Sequence, residues 1–295
     1  MTGGEAQTPD GEPYRTPIDD VTVPEMNMPR RRPLPSAAAT PDAGRGADLT
    51  ALRRQAVREL SAAAIGVALA GSAFAAAAGL GPNYVLKALL ACIAGAWLVA
   101  RALGRGTHPH AHFGAANRVT LVRMALAALL FALLGESLPR PPLAAMPQAW
   151  WIVAVATLAA LLDAVDGSLA RRNGLASAFG ARFDMETDAA LTLVLCALVL
   201  QAGQAGPWVL AAGLMRYAFV AAARAWPWLA APLAPSRRRQ TVCVVQITTL
   251  FVCLAPVVPS AQASVLAAAS VALLAASFAI DVHTLARARR PELET

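Results

Sequence analysis

A single lysine, Lys87, stands among the 25 basic residues of this 295-residue chain, and charged residues make up only 15% of it. So little charge excludes an ordinary soluble domain, in which about a quarter of the residues are charged. Paired cysteines are missing as well. Cys92, Cys196, Cys243 and Cys253 all fall in apolar runs with no CxxC spacing, so neither a disulfide framework nor a cysteine zinc site is indicated. Acidic residues are scarce where the chain is most apolar: only seven lie between Arg105 and His283. No internal repeat is evident.

What remains is apolar. Hydrophobic residues reach 57% and the mean hydropathy is +0.51, which points to an integral membrane protein. The arginines gather at Arg30–Arg32, Arg53/Arg54/Arg58, Arg101/Arg105, Arg171/Arg172, Arg237–Arg239 and Arg287/Arg289/Arg290. These clusters border apolar runs, which suits anionic headgroups rather than a nucleic-acid face. No nucleic-acid partner is expected.

Residues 1 to about 50 carry eight of the 21 prolines and almost no apolar periodicity. Positions 1–55 therefore read as a disordered cytoplasmic tail. The segment opens with acidic and polar residues and has no short apolar core, so it does not read as a signal peptide. From Ala62 onward, eight apolar runs follow: Ala62–Leu80, Tyr84–Leu103, Val119–Leu134, Trp150–Leu162, Ala189–Ala202, Pro207–Ala222, Thr241–Val258 and Ala263–Ile280. A membrane-spanning helix needs about 20 residues. Two runs, Trp150–Leu162 and Ala189–Ala202, cover only about 20 Å at 1.5 Å per residue. Each can be completed only by continuing through the aspartates beside it, so both deficits fall on one side of the membrane and open a shared polar cavity there.

An even number of helices puts both termini on the same side. That side also receives most of the arginines, while the opposite short loops contain or abut only Lys87 and Arg140. The bias predicts termini and cavity in the cytoplasm. The expected architecture is an all-α membrane protein of about eight spans. Two extra helices (56–106) and a loop (107–116) precede a six-helix core (117–287), and a cytoplasmic tail (288–295) follows. Small residues such as Gly66, Gly71 and Ser72 in the first extra helix favour close packing, on the core or on a second copy in a homodimer. His108, His110 and His112 alternate in the loop and read as polar loop residues rather than a zinc site.

Five of the seven acidic residues sit in one window, with the spacing Asp163-x2-Asp166-Gly167-x2-Ala170-Arg171-x8-Gly180-x3-Asp184-x3-Asp188 and Glu186 between the last two. Residues three or four apart share a helix face, so Asp163 and Asp166 form one carboxylate stripe and Asp184 and Asp188 another. Four clustered carboxylates raise one another's pKa unless a cation joins them. Hard oxygen donors select Mg²⁺, Mn²⁺ or Ca²⁺, and four of them suit a pair of divalent ions, as in phosphoryl chemistry. Gly167 and Ala170 lack bulk, so a phosphorylated group can approach the backbone, and Arg171 offers a planar fork to phosphate. A diphosphate substrate fits this set.

The constellation resembles the CDP-alcohol phosphatidyltransferase family (class I, phospholipid synthesis), whose signature D-x2-D-G-x2-A-R-x8-G-x3-D-x3-D is matched at every fixed position. The resemblance implies six transmembrane helices, here about Asn117 to Arg287, and a cytoplasm-facing site with two divalent cations, Mg²⁺ or Mn²⁺. It implies transfer of a substituted phosphate from a CDP-linked donor to an alcohol, with release of CMP. By matched position, Asp163, Asp166 and Asp184 look like metal ligands, and Asp188 like the general base that also touches the metal site. Gly167, Ala170 and Arg171 look like the CDP-binding surface, with Gly180 permitting close packing near the nucleotide. A Pro-Asn…Thr…Arg pattern often opens the family's first core helix; Asn117-x2-Thr120-x2-Arg123 keeps three of its positions and has Ala116 where proline is common. Asn117 and Thr120 are grouped with the nucleotide-binding set on that ground.

The expected activity is transfer of a phosphatidyl group from CDP-diacylglycerol to a polar alcohol, with glycerol 3-phosphate as the best single acceptor and inositol phosphate, serine or a lipid alcohol as alternatives. Arg216 lies inside an apolar run and needs an anionic partner. It is expected in the same cavity, with Arg237, Arg238 and Arg239, as positive charge for a phosphorylated acceptor, and Asp281 is a carboxylate within its expected reach. A non-enzymatic divalent-cation carrier would use the same aspartates, but it gives no reason for Gly167, Ala170 and Arg171. A prenyl-diphosphate transferase shares the metal logic but has a run of adjacent aspartates that this chain lacks.

Overall fold

The computed structural model describes residues 41–103, 114–136, 150–162, 178–234 and 236–289. Eight α-helices fall within them: α1 Pro41–Ala78, α2 Pro82–Leu103, α3 Ala115–Ala132, α4 Trp150–Leu162, α5 Ala178–Gln201, α6 Leu210–Ala225, α7 Arg237–Leu254 and α8 Ser260–Arg289. No strand occurs among the described residues. The chain is an all-α membrane protein, as its hydropathy predicts. By length and composition, four stretches can cross a bilayer: Arg54–Ala78, Pro82–Arg101, Pro207–Ala225 and Ser260–Ala288. Of the other four helices, α4 is short, and α3, α5 and α7 carry charged side chains at one end.

α1 begins at Pro41, so its helix reaches well into the stretch whose composition reads as tail. The α1–α2 connection is tight because Gly79 takes a left-handed φ of +67°, which lets the Leu80 N–H return to the Ala75 carbonyl at 2.9 Å. This 6→1 bond is a Schellman stop, and Pro82 then opens α2 where a missing N–H does no harm. α5 ends in the same way, with Gly203 at φ +71° and the Gln204 N–H on the Val199 carbonyl at 3.1 Å.

α5 is the central helix, packed against α3, α6 and α7. Its Leu191, Leu195, Leu198 and Val199 are fully buried. At the end remote from its aspartates, Gln201 ties it to the C-terminus of α3: Oε1 accepts from the Gly135 N–H at 2.7 Å, and Nε2 donates to the Leu133 and Glu136 carbonyls at 3.0 and 2.9 Å. Lys87 of α2 joins the same knot, bonding the Leu134 carbonyl at 2.8 Å and the Glu136 carboxylate at 2.6 Å. With these ends in register, the N-terminal turns of α3 and α5 lie side by side at the other end. That is how residues about 60 apart in sequence come to share one site.

α6 approaches α5 through a glycine. A Cβ on Gly213 would stand 2.6 Å from the Leu193 Cα, a backbone atom that cannot yield. Gly213→Val is therefore expected to push the two helices apart and to lower stability by about 1–3 kcal/mol, measurable as a fall in the thermal unfolding midpoint in detergent. The sequence reading had not singled out this glycine.

Candidate functional site

Asn117, Thr120 and Arg123 occupy the first turns of α3 and are all buried. The Arg123 side chain has no exposed surface, and a guanidinium taken out of water in this way is tolerated only with good anionic partners. It has them on α5: Nη1 donates to Asp184 Oδ1 and Nη2 to Asp188 Oδ1. Four residues apart, the two aspartates are separated by only about 40° around the helix axis, so a planar fork bridges them with one nitrogen for each carboxylate. Their side chains are 39% and 36% exposed, so the buried cation lies behind them and the carboxylates reach the surface. Two like charges one helical turn apart repel, and Arg123 offsets that repulsion.

The backing is apolar. Ala56, Val99, Leu121 and Phe183, from α1, α2, α3 and α5, form a small buried cluster, with Leu60, Ala63 and Met124 packed against it. Thr187, buried between the two aspartates in sequence, turns its hydroxyl onto the Phe183 carbonyl at 2.9 Å and so satisfies itself within the helix. Gly180 lies partly buried in the first turn of α5.

Glu186 points elsewhere. At about 100° per residue it is roughly 180° from the Asp184–Asp188 face, and its carboxylate takes Arg216 Nη2 at 2.6 Å. The anionic partner that Arg216 requires is thus Glu186, not Asp281, and the contact lies on the flank of α5 that meets α6. The close approach at Gly213, less than one turn away, brings Arg216 within reach. Asp281 of α8 belongs instead to α7: it accepts from Arg238 at 2.5 Å and from Arg239 at 3.4 Å. Arg238 also donates to the Ser277 carbonyl at 2.7 Å and to the Ser277 hydroxyl. Arg237 is exposed.

Of the sequence-predicted residues, the structure brings Asp184 and Asp188 together and buries Asn117 and Thr120 on the neighbouring helix. Asp163, Asp166, Gly167, Ala170 and Arg171 lie outside the described residues, as do His108, His110 and His112. Among the described residues no three His, Cys, Asp or Glu side chains converge as a metal site. Asp184 and Asp188 nevertheless fit a hard divalent cation in donor type, since both offer carboxylate oxygens on one face.

Sequence reasoning assigned no role to Arg123 or Glu186. Arg123 carried a signal like that of Arg216, a guanidinium within an apolar run, and the same rule would have demanded a carboxylate for it.

A fully buried arginine that bridges two aspartates at one end of a central helix is a built polar site within an all-α membrane protein. The family model for CDP-alcohol phosphatidyltransferase matches residues 113–280, more than half of the chain, and the chain belongs to that family. It is therefore a phosphotransferase acting on a CDP-alcohol donor in phospholipid synthesis. Divalent cations are used in the family in general. No curated protein and no solved structure gives a significant match.

Proposed function

We propose that this chain transfers a phosphatidyl group from CDP-diacylglycerol to glycerol 3-phosphate and releases CMP. The observation that carries the reading is the bridging of Asp184 and Asp188 by a fully buried Arg123, which holds both carboxylates at one end of α5 in the order the family signature requires. Asp188 accepts the proton of the acceptor hydroxyl. The acceptor oxygen forms a bond to the β-phosphorus, the bond from that phosphorus to the bridging oxygen breaks, and the pair of electrons leaves with CMP. Transfer is direct in this reading, with the acceptor oxygen as the nucleophile and no covalent enzyme intermediate. Asp163, Asp166, Asp184 and Asp188 would hold two divalent cations, Mg²⁺ or Mn²⁺, whose charge when bound screens the diphosphate. Gly167, Ala170, Arg171 and Gly180, with Asn117 and Thr120, form the proposed nucleotide surface. Both termini and the site face the cytoplasm in this reading, in the cell's inner membrane.

Arg123 also argues against the cation-carrier alternative, since a guanidinium fixed between two carboxylates opposes passage of a metal ion through them. The deciding experiment incubates purified protein with labelled CDP-diacylglycerol and glycerol 3-phosphate and follows CMP. Release that stops with EDTA and returns with Mg²⁺ or Mn²⁺ supports the reading; ion flux without CMP release sinks it.

Arg216 and Arg237–Arg239 are the proposed positive charge for the acceptor phosphate, which would have to compete with Glu186 for Arg216 and with Asp281 for Arg238 and Arg239. Arg216→Ala is expected to raise the acceptor KM about tenfold or more with little change in donor KM, given about 1.5–3 kcal/mol for a hydrogen bond to a charged group. Steady-state kinetics on correctly inserted protein check this. If donor KM rises alone, Arg216 serves the diphosphate end; if neither moves, its partner is Glu186 only.

A further inference from the structure

The helices α1 and α2 precede the family match, which begins at residue 113, yet they touch the reaction centre's framework at three places. The first is a near-absent gap between α2 and α3. A Cβ on Gly95 would meet the Met124 Sδ at 2.5 Å, and Met124 is the residue after Arg123. The second is the apolar cluster in which Ala56 of α1 and Val99 of α2 cover Leu121 and Phe183, the latter being the residue before Asp184. The third is an ion pair at 2.8 Å from Glu59 of α1 to Arg118 of α3. All three contacts fall at the Arg123 end of α3; at its far end α2 makes separate ties, through the Tyr84 hydroxyl to the Leu129 carbonyl at 3.1 Å and through Lys87.

We propose that the α1–α2 hairpin is a positioning element of the reaction centre, pressing the first turns of α3 onto α5 so that Arg123 stays on Asp184 and Asp188. The physical need is plain. A fork bridging two carboxylates tolerates little displacement, because each nitrogen must keep its own partner. α3 packs on α5 and also on α2, so α2 can bear on it. Gly95 sets how close α2 can come, Met124 transmits the contact, and Phe183 receives it on α5. Glu59 and Arg118 hold the register; at 26% and 52% side-chain exposure their pair is a weak restraint and not the principal one.

The test uses the full-length protein in detergent or nanodiscs, with hydrogen–deuterium exchange over residues 116–124 and 183–190 and turnover measured on the same samples. Gly95→Val should raise exchange in both segments and lower turnover by about tenfold or more, the size of effect usual for residues that orient metal-site ligands, with a smaller change in donor KM. Met124→Ala added to Gly95→Val removes the clash and should recover most of both losses. Gly71→Val is the control: Gly71 faces Leu129 and Tyr84, away from the site, so this variant should leave both segments and turnover near wild type. Glu59→Gln, which adds no bulk, should give a smaller rise in exchange at 116–124 and keeps the test open if Gly95→Val fails to insert. Unchanged exchange in Gly95→Val and Glu59→Gln would overturn the proposal, as would an equal effect from Gly71→Val or lost turnover with exchange unchanged. Absence of CMP release by the wild-type protein would sink the transferase reading instead, and the exchange comparison would still decide the clamp.

Discussion

Replacing Arg123 by glutamine is expected to abolish turnover and to destabilise the fold together. The guanidinium is fully buried and engages two carboxylates at once, so its loss leaves Asp184 and Asp188 facing each other on one helical turn without their shared counter-charge. Breaking a buried ion pair from one side costs about 3–5 kcal/mol. The lower end applies here because both carboxylates keep more than a third of their side-chain surface exposed. Arg123→Lys is expected to recover part of the stability and little of the activity, since a single ammonium cannot serve two acceptors with the geometry of a planar fork. Thermal unfolding in detergent and CMP release on the same preparations separate the two effects. Wild-type turnover in Arg123→Gln would remove the bridge from any part in function.

Asp184→Asn should reduce turnover by more than about a hundredfold while the protein still inserts and folds, because the change keeps the side-chain volume and leaves the buried Arg123 its second counter-charge, Asp188. Losses of about 10–100-fold follow from disturbing groups that merely orient a metal ligand, and the proposed ligand itself should exceed them. Asp188→Asn should lower turnover by about 10²–10⁴-fold, the usual contribution of a general base, but retain more CDP-donor binding than Asp184→Asn, since a base acts on the acceptor. Equilibrium binding of a CDP-lipid to both variants decides between the roles. Equal loss of donor binding would make Asp188 a ligand first and leave its role as base unsupported. Near-normal turnover in Asp184→Asn would falsify the metal assignment outright.

Composition and spacing alone determined the class of molecule. Long apolar runs bordered by arginine specify membrane helices because an unpaired backbone cannot cross hydrocarbon, and a helix is the element that satisfies itself locally. The aspartate signature was legible for a similar reason: helical periodicity is local, so the sharing of one face by Asp184 and Asp188 follows from a spacing of four. The length argument for α5 also held, as the helix runs unbroken from Ala178 through both aspartates to Gln201.

Pairing between helices was not legible. The sequence presented several arginines and several carboxylates in apolar surroundings, and electrostatics demanded that they pair without saying which with which. Only the packing decided it. The close approach at Gly213 delivered Arg216 to Glu186, the α7–α8 contact delivered Arg238 and Arg239 to Asp281, and the alignment of α3 with α5 left Arg123 for the two aspartates. The bearing of α1 and α2 on α3 through Gly95 and Met124 was equally hidden, because no local pattern records which side of a neighbouring helix a glycine will face. Periodicity is written along the chain, whereas the partner of a buried charge is set by which helices touch.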